Sequence, residues 1–455
     1  MSAPFVGSSL LPRLADALAR LSARYVPDAF SIAALLTLVT FALGLTLGAA
    51  SPAACVSAWG GGVWTLVSFG MQVALVIFAG YVLAVAPPVA RLLEALARVP
   101  RGPRSAVAWT ALVSMALCWL NWGMGLIASA MLVRSVARAR PDCDYRLLVA
   151  VAYLGMGTTW HGGPSGSVPL LFATPGSFMI RDGLLDAPVP LAATIFTAAN
   201  LGLMLGVVVV LTALAALLHP PRERTLAVGP EALQALASFA PPARPALPTP
   251  AERLMHGRWL TAALGLLGLA YVALQVARGG FAATLDSVNL IALSLGFLLH
   301  PSPASLGKAA EEAARPLHGV VLQFPLYAGI YGIIKDTGLV ESLTHAFLAV
   351  STPGSYPVVV FVYSAVLNYW VPSGGAKWAM EAPYVLGAAK ELGVPATSVA
   401  MAYAYGDMAT NLIQPFWAIP LLGIARLEFR DILGYELVAL AAYSTLVALA
   451  LLVVF

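Results

Sequence analysis

The sequence predicts an all-α polytopic membrane protein made of two inverted-topology repeats, each holding a re-entrant helical hairpin and a discontinuous transmembrane helix. Three observations predict this class. Of the 455 residues, 60% are hydrophobic and only 10% are charged, with a mean hydropathy of +0.85, whereas a soluble domain carries about 25% charged residues. Apolar runs near the length of about 20 residues that spans a bilayer core recur along the chain. Several of these runs are broken by Gly, Pro, Ser and Asn, and the breaks recur in the same order in both halves.

The first repeat covers residues 1–218. Residues 10–24 place Leu10, Leu11, Leu14, Leu18 and Leu21 at helical spacing, with Arg13, Arg20 and Arg24 between them. That pattern marks an interfacial amphipathic helix rather than a cleavable targeting sequence. A first span follows at 29–49, and a second at 63–86 contains the polar Gln72. Pro87-Pro88 ends it, and an amphipathic connector with Arg91, Glu94 and Arg98 comes next. Residues 105–139 read as a hairpin whose tip is Asn121-Trp122-Gly123-Met124-Gly125. Residues 147–173 read as a broken helix, interrupted from Gly155 to Ser167 by the longest Gly-rich stretch inside an apolar segment. A span at 189–218 closes the repeat.

Residues 219–257 are polar and rich in Pro, Ala and Arg, and they divide the chain as a cytoplasmic linker. The second repeat, 258–455, begins with spans at 259–277, 288–300 and 319–334, the last preceded by an amphipathic segment with Lys308, Glu311, Glu312 and Arg315. The hairpin at 357–390 is the centre of the organisation. Val358 to Leu367 leads in, Trp378 to Ala389 leads out, and each arm is short for a span. Between them Pro372, Ser373, Gly374 and Gly375 favour irregular backbone, which lipid cannot satisfy, so the break belongs inside protein or beside a watery cavity. A second broken helix, 397–424, is interrupted from Gly406 to Pro415, and a last span covers 432–455. In all, about nine spans and two hairpins are expected on span length.

Local similarity supports the repeat. Leu120-Asn121-Trp122 matches Leu367-Asn368-Tyr369, Ala152-Tyr153 matches Ala402-Tyr403, and Gln72 with Leu75 matches Gln323 with Leu326, all about 250 residues apart. With the N-terminus cytoplasmic and the C-terminus periplasmic, 20 of the 25 Lys and Arg fall in cytoplasmic segments, as the positive-inside rule requires. The hairpins then enter from opposite sides. Inverted repeats with discontinuous helices are the pattern of secondary transporters. The pI near 9.0 comes from residues at the ends of apolar runs, so it sets orientation and does not indicate nucleic acid. Cys55, Cys118 and Cys143 show neither metal-ligand spacing nor a disulfide framework.

The breaks carry the chemistry. The second half of a broken helix exposes N–H groups that favour anions, carboxylates included, and the first half ends in carbonyls that suit Na⁺. The candidate substrate groups are Asn121, Trp122, Gly123, Gly163, Ser165, Gly166, Ser167, Pro372, Ser373, Gly374, Gly375, Asn411 and Gln414. The candidates for a coupling ion, Na⁺ or H⁺, are Asp407, Asn368, Thr410 and His161. Asp407 leads because intramembrane acids are commonly functional, and His161 can take a proton near neutral pH. Each single Ser or Asn also has a structural reading as a helix cap or interhelical bond. Lys377 and Glu381, four apart, read either as a pair with each other or as a Lys free to attract an anion. No ring of Arg lines the breaks, so a small monocarboxylate fits better than a polyanion. No catalytic residue, cofactor or metal beyond Na⁺ is indicated. Gly163-Pro164-Ser165-Gly166 has the G-x-S-G form of intramembrane serine hydrolases, but a nucleophilic Ser needs a base on a separate element.

These residues resemble the bacterial short-chain fatty acid transporter family, which includes acetoacetate and butyrate uptake carriers. The likeness rests on Trp59-Gly60, Phe69-Gly70-Met71-Gln72, Asn121-Trp122-Gly123, Ser165-Gly166-Ser167-Val168-Pro169-Leu170-Leu171, Ala173-Thr174-Pro175-Gly176, Gln323-Phe324-Pro325, Val371-Pro372-Ser373-Gly374-Gly375, Ala404-Tyr405-Gly406-Asp407 and Gln414-Pro415-Phe416-Trp417. The resemblance implies an inner-membrane carrier of short-chain monocarboxylates. More distantly the chain is similar to the ion transporter superfamily, which implies a homodimer and an elevator-like cycle with both hairpins on the moving unit. His161 departs from the pattern, where Gly is expected in a Trp-Gly-Gly-Gly-like segment. The expectation is therefore a secondary active carrier coupled to H⁺ or Na⁺, not an enzyme. The alternatives are a carrier of the same fold for dicarboxylates or amino acids, a cation/proton antiporter, and, more remotely, a hydrolase using Ser165.

Overall fold

A computed structural model describes residues 29–453 apart from 229–238, 247, 316, 372 and 416. The amphipathic segment expected at 10–24 and Pro372 lie outside the described residues. Among those described, the regular structure is helical throughout.

The first half runs α1 (Ala29–Thr46), α2 (Pro52–Gly62), α3 (Val67–Ala84), α4 (Pro87–Ala97), α5 (Pro103–Leu120), α6 (Trp122–Ala139), α7 (Tyr145–Thr158), α8 (Ser167–Ala173) and α9 (Ala198–Leu218). After α10 (Pro250–His256) and α11 (Trp259–Ala277) come α12 (Leu285–Leu299), α13 (Pro303–Ala314), α14 (Leu317–Asp336) and α15 (Leu339–Val350). The chain then continues through α16 (Tyr356–Trp370), α17 (Gly374–Glu391), α18 (Ala396–Asn411), α19 (Ile419–Ala425) and α20 (Phe429–Val453). The short helices α2 and α15 escaped the hydropathy reading because neither is long enough to register as a span.

Packing follows the same order in each half. Helix α5 lies on α7 as α16 lies on α18, and α6 lies on α3 and α4 as α17 lies on α14 and α15. The halves interlock, since α1 and α2 pack on α14 while α12 and α13 pack on α3. Gln72 contributes here: its amide donates to Asp286 at 2.8 Å, and its carbonyl accepts from Asn289 at 2.9 Å. The arms of the first helix pair pack closely on each other, but α16 and α17 touch little.

Among the described residues four helices, α3, α9, α11 and α20, are long and apolar enough to cross a membrane by length and composition. The central helices are not, and burial explains why. Residues Tyr145–Thr158 of α7 are buried but for Arg146, and those from Val399 to Ala409 of α18 and from Gly374 to Leu386 of α17 are buried throughout. A helix wrapped in protein on all sides has no lipid to satisfy, so it can carry Gly, Tyr and charge.

Three sequence boundaries need correction. Helix α18 runs unbroken to Asn411, so the interruption begins at Leu412 and Asp407 sits inside the helix rather than in the break. Helix α7 likewise continues through Gly155 and Gly157 to Thr158. Glycine in these helices permits close approach and does not end them. A Cβ on Gly406 would stand 2.2 Å from the Phe361 carbonyl oxygen, and one on Gly155 would stand 2.6 Å from that of Ser114. Finally, the span expected from 189 begins at Ala198, because Thr197 caps the helix through the Asn200 N–H at 3.2 Å and residues 189–197 contain only one short 3₁₀ turn.

This packing predicts a contrast between two glycines. Gly406→Ala should destabilise the protein by ~1–3 kcal/mol through overpacking. Gly202→Ala, on an exposed face of α9 with nothing near the added methyl, should be neutral or stabilising by up to ~1 kcal/mol. Thermal unfolding in detergent micelles checks both. Equal melting temperatures for the two variants would refute the packing argument.

Candidate functional site

The site forms where the break after α7, the start of α17 and the last turns of α18 meet. Helix α7 ends at Thr158, whose hydroxyl donates to Leu154 O at 2.7 Å, and Thr159 donates to Met115 O at 2.8 Å. The chain then turns through Trp160–Gly162. Two N–H groups hold the Gly162 carbonyl, from Asn200 at 3.0 Å and Trp119 at 3.1 Å. Irregular backbone is thus satisfied inside the protein, as burial away from lipid requires. A Cβ on Gly163 would stand 2.0 Å from the Trp119 carbonyl oxygen, so this turn admits no side chain.

Four buried ionisable side chains converge there. Asp407 Oδ2 lies 3.0 Å from His161 Nδ1, and Asp407 Oδ1 lies 3.2 Å from Lys377 Nζ. The second contact is a close charge pair more than a directed hydrogen bond. Lys377 aims its directed bonds at Ser364, donating to the carbonyl at 2.8 Å and the hydroxyl at 2.9 Å, and it sits over the Tyr403 ring at 4.6 Å. Ser364 in turn donates to Tyr403 O at 2.9 Å, and Tyr403 OH donates to Gly374 O at 3.0 Å. Gly374 admits Asp407 to the start of α17: a Cβ there would stand 2.6 Å from Oδ2. An anion at a helix N-terminus is favoured by the backbone dipoles.

The hydrogen bonds assign the His161 tautomer. Val168 N–H donates to Nε2 at 3.1 Å, so Nε2 keeps its lone pair and the proton sits on Nδ1, directed at Asp407. The imidazole is therefore neutral and stacks on Trp160 at 4.2 Å. Lys377 is the one charged cation facing Asp407 among the described residues. Glu381, one turn beyond Lys377, is fully buried, and neither of its oxygens has a hydrogen-bond partner among the described residues. The expected Lys377–Glu381 pair is thus corrected: the lysine turns to the Asp407 carboxylate on α18 and to Ser364 on α16.

The other sequence candidates divide by location. Ser167 and Gly375 meet beside the charged group, where a Cβ on Gly375 would stand 3.2 Å from that of Ser167. Ser373 precedes them as the first residue of the α17 turn. Asn368 joins Thr410 at 3.2 Å and Asn411 at 2.8 Å, and Asn411 reaches Met156 O at 3.0 Å, so these three tie α16, α18 and α7 together. Asn121 caps α6 through the Met124 N–H at 2.9 Å, and Gly123 lies against α3, where a Cβ would stand 2.8 Å from Val76 O. Ser165 Oγ accepts the Trp122 N–H at 3.0 Å, linking the first helix pair to the break. Gly166 folds back on Gly163 O at 2.9 Å. Trp122 packs between Trp160 and Trp417, and Gln414 is buried just past α18. Both nitrogens of His161 are engaged elsewhere, so His161 is not a base for Ser165. The sequence missed Ser364 and Tyr403 as Lys377 partners; a Ser one turn before Asn368 was the only available signal.

Residues 10–455 match the family described as Short chain fatty acid transporter. This chain belongs to that family. A relative in Escherichia coli, described as "Putative short-chain fatty acid transporter", is 39% identical over 431 residues, covering 95% of this chain and 97% of its own. One in Haemophilus influenzae with the same description is 36% identical over 435 residues, with the same coverage. In fold, the chain resembles the Alcanivorax borkumensis YdaH transporter, whose crystal structure is described as having an unusual topology. That likeness has a TM-score of 0.58 at 18% identity and covers 93% of this chain and 98% of the other. The chain is therefore a multi-pass membrane transporter and not an enzyme.

Removing one partner of the buried pair has a predictable cost. Lys377→Met leaves the Asp407 carboxylate with a single N–H and should destabilise the fold by ~3–5 kcal/mol. Adding Asp407→Asn should recover part of that loss, since neither charge then remains. Melting temperatures of the single and double variants test this. Additive losses would show that the two side chains do not act as a pair.

Proposed function

We propose that this chain is a secondary active carrier for short-chain monocarboxylates, of the size of butyrate or acetoacetate, across the bacterial inner membrane. The observation that carries this reading is the single buried ammonium of Lys377 at the meeting point of a broken helix and a helix N-terminus. One fixed cation, held by Ser364, suits one carboxylate; a polyanion would demand more positive charge than this group holds. The aromatic side chains next to the group, Phe69 beside Gly375, Trp378 against Tyr403 and Trp160 stacked on His161, suit a short alkyl or keto-alkyl chain. The relatives' descriptions point to the same substrate class.

Substrate moves by alternating access, driven inward by H⁺ or Na⁺. The matched packing of α5–α6 and α16–α17 supports inverted repeats with re-entrant pairs, and it supports an elevator-like cycle in which α5–α8 and α16–α19 travel together against α1–α3 and α12–α14. Homodimeric assembly, a cytoplasmic N-terminus and a periplasmic C-terminus complete the reading. One observation favours a second substrate class. Lys377 and Asp407 present both signs side by side, which also matches the two charges of an amino acid.

Purified protein in liposomes should take up labelled butyrate or acetoacetate saturably under an imposed H⁺ or Na⁺ gradient, above the passive entry measured in protein-free liposomes at each pH. Unlabelled acetoacetate should compete, whereas succinate and alanine should not. Competition by alanine alone would move the assignment to amino acids. Absence of saturable uptake of either acid from folded protein would refute the monocarboxylate assignment.

A further inference from the structure

We infer that Asp407 is a resident stand-in for the substrate carboxylate. Substrate displaces it from Lys377, and Asp407 then crosses the membrane carrying one proton. This inference rests on the carrier reading above and adds the coupling ion, its carrier residue and the stoichiometry.

The argument starts from the charge that the site can hold. The groups facing Asp407 are Lys377 and Glu381 on α17, His161 on the break, Tyr403 on its own helix and Tyr443 on α20. His161 is neutral by its hydrogen bonds, and the tyrosines carry no charge. Neither Glu381 oxygen has a hydrogen-bond partner among the described residues, and a buried carboxylate without one is strongly disfavoured. The group therefore closes around one positive and one negative charge, Lys377 and Asp407.

A buried ammonium needs one counter-anion. Either the Asp407 carboxylate or the substrate carboxylate can serve, but both together leave one negative charge uncompensated. When substrate takes Lys377, charge balance requires Asp407 to be neutral. On the uptake side, water delivers H⁺ to the Asp407 carboxylate, forming an O–H bond, as the substrate carboxylate pairs with Lys377. On the cytoplasmic side that O–H bond breaks, the proton returns to water, the substrate leaves and Asp407 pairs again with Lys377. His161 Nδ1–H can donate to either form of the acid, so it holds the side chain in place through both steps.

The two neutral states are the empty carrier and the carrier with substrate plus proton. Substrate alone leaves the group at one negative charge, and a proton alone leaves it at one positive charge. Only the neutral states are suited to passage through a low-dielectric interior, which makes the coupling obligatory. In the empty state both Asp407 oxygens face N–H donors, the ammonium and the neutral imidazole, an arrangement that offers Na⁺ no unoccupied carboxylate oxygen.

The test uses the full chain in liposomes, with labelled butyrate or acetoacetate as the probe. For the native protein, counterflow between labelled and unlabelled acid establishes the carrier independently of coupling. An imposed pH gradient should then drive net uptake, with one H⁺ moved per carboxylate. A potassium-diffusion potential applied alone should drive none. Asp407→Asn should keep counterflow, because its loaded form is still neutral, and should lose H⁺-driven net uptake, because its empty form strands the ammonium. The same acid should raise the melting temperature of Asp407→Asn more than that of the native protein, because it replaces the missing counter-charge. Glu436→Gln, at the buried acid between α7, α9 and α20 and outside the site, should keep H⁺-driven uptake. Native uptake that follows Na⁺ or membrane potential overturns the inference, as does H⁺-driven uptake that survives Asp407→Asn. If Asp407→Asn does not fold, the native ion and potential dependence decides. Absence of counterflow in the native protein would instead count against the carrier reading itself.

Discussion

The buried pair between Lys377 and Asp407 constrains everything around it. Two charges removed from water lose several kcal/mol of hydration each, and their mutual attraction returns this only when geometry and hydrogen bonding are good. The surroundings meet that demand. Ser364 gives Lys377 two oxygens, and His161 gives Asp407 an N–H. The Tyr403 ring lies under the ammonium. Such a pair is a weak source of stability, so its presence in the most enclosed part of the molecule points to function.

The pair also dictates where glycine must stand. Asp407 reaches the start of α17 only because Gly374 has no side chain, and α18 approaches α16 only because Gly406 has none. The break after α7 is subject to the same rule at Gly163 and Gly166. Glycine is costly in a helix because of its backbone entropy, and the close interhelical contacts offset that cost. The backbone freed by the breaks is satisfied by Asn200, Trp119 and Ser165. Helix interruption therefore serves positioning here: it places irregular chain against charge without exposing it to lipid.

Burial and hydropathy separate the frame from the site. The outer helices α9 and α11 are apolar along their length, α20 is apolar beyond Glu436, and all three turn much of their surface outward. The helices that carry charge are enclosed by others and need not be apolar. A transporter requires this division, since a polar site must sit at membrane depth inside an apolar exterior. Besides Asp407 and Asp144, which caps α7, two acids are buried among the described residues. Glu381 neighbours the pair, and Glu436 lies among apolar residues between α7, α9 and α20. Both lack hydrogen-bond partners among the described residues.

The sequence by itself determined the membrane class and the family, because hydropathy and motif order are both written along the chain. It also marked His161, Asp407 and the Ser373–Gly375 turn as residues to watch, since polar groups inside apolar runs are conspicuous. It could not say what those residues touch. Lys377 and Glu381 invited pairing because helical spacing reports neighbours on one helix, whereas the true partner of Lys377 lies on α18. The His161–Asp407 bond joins residues 246 positions apart, a relation with no local signature. Helix ends were likewise misplaced at Gly155 and Gly406, because glycine reads as a breaker until the helix packed against it is known. Tertiary structure decided the partner of each charge, the tautomer of His161 and the limits of α7 and α18, since all three depend on which helices lie side by side in the folded chain.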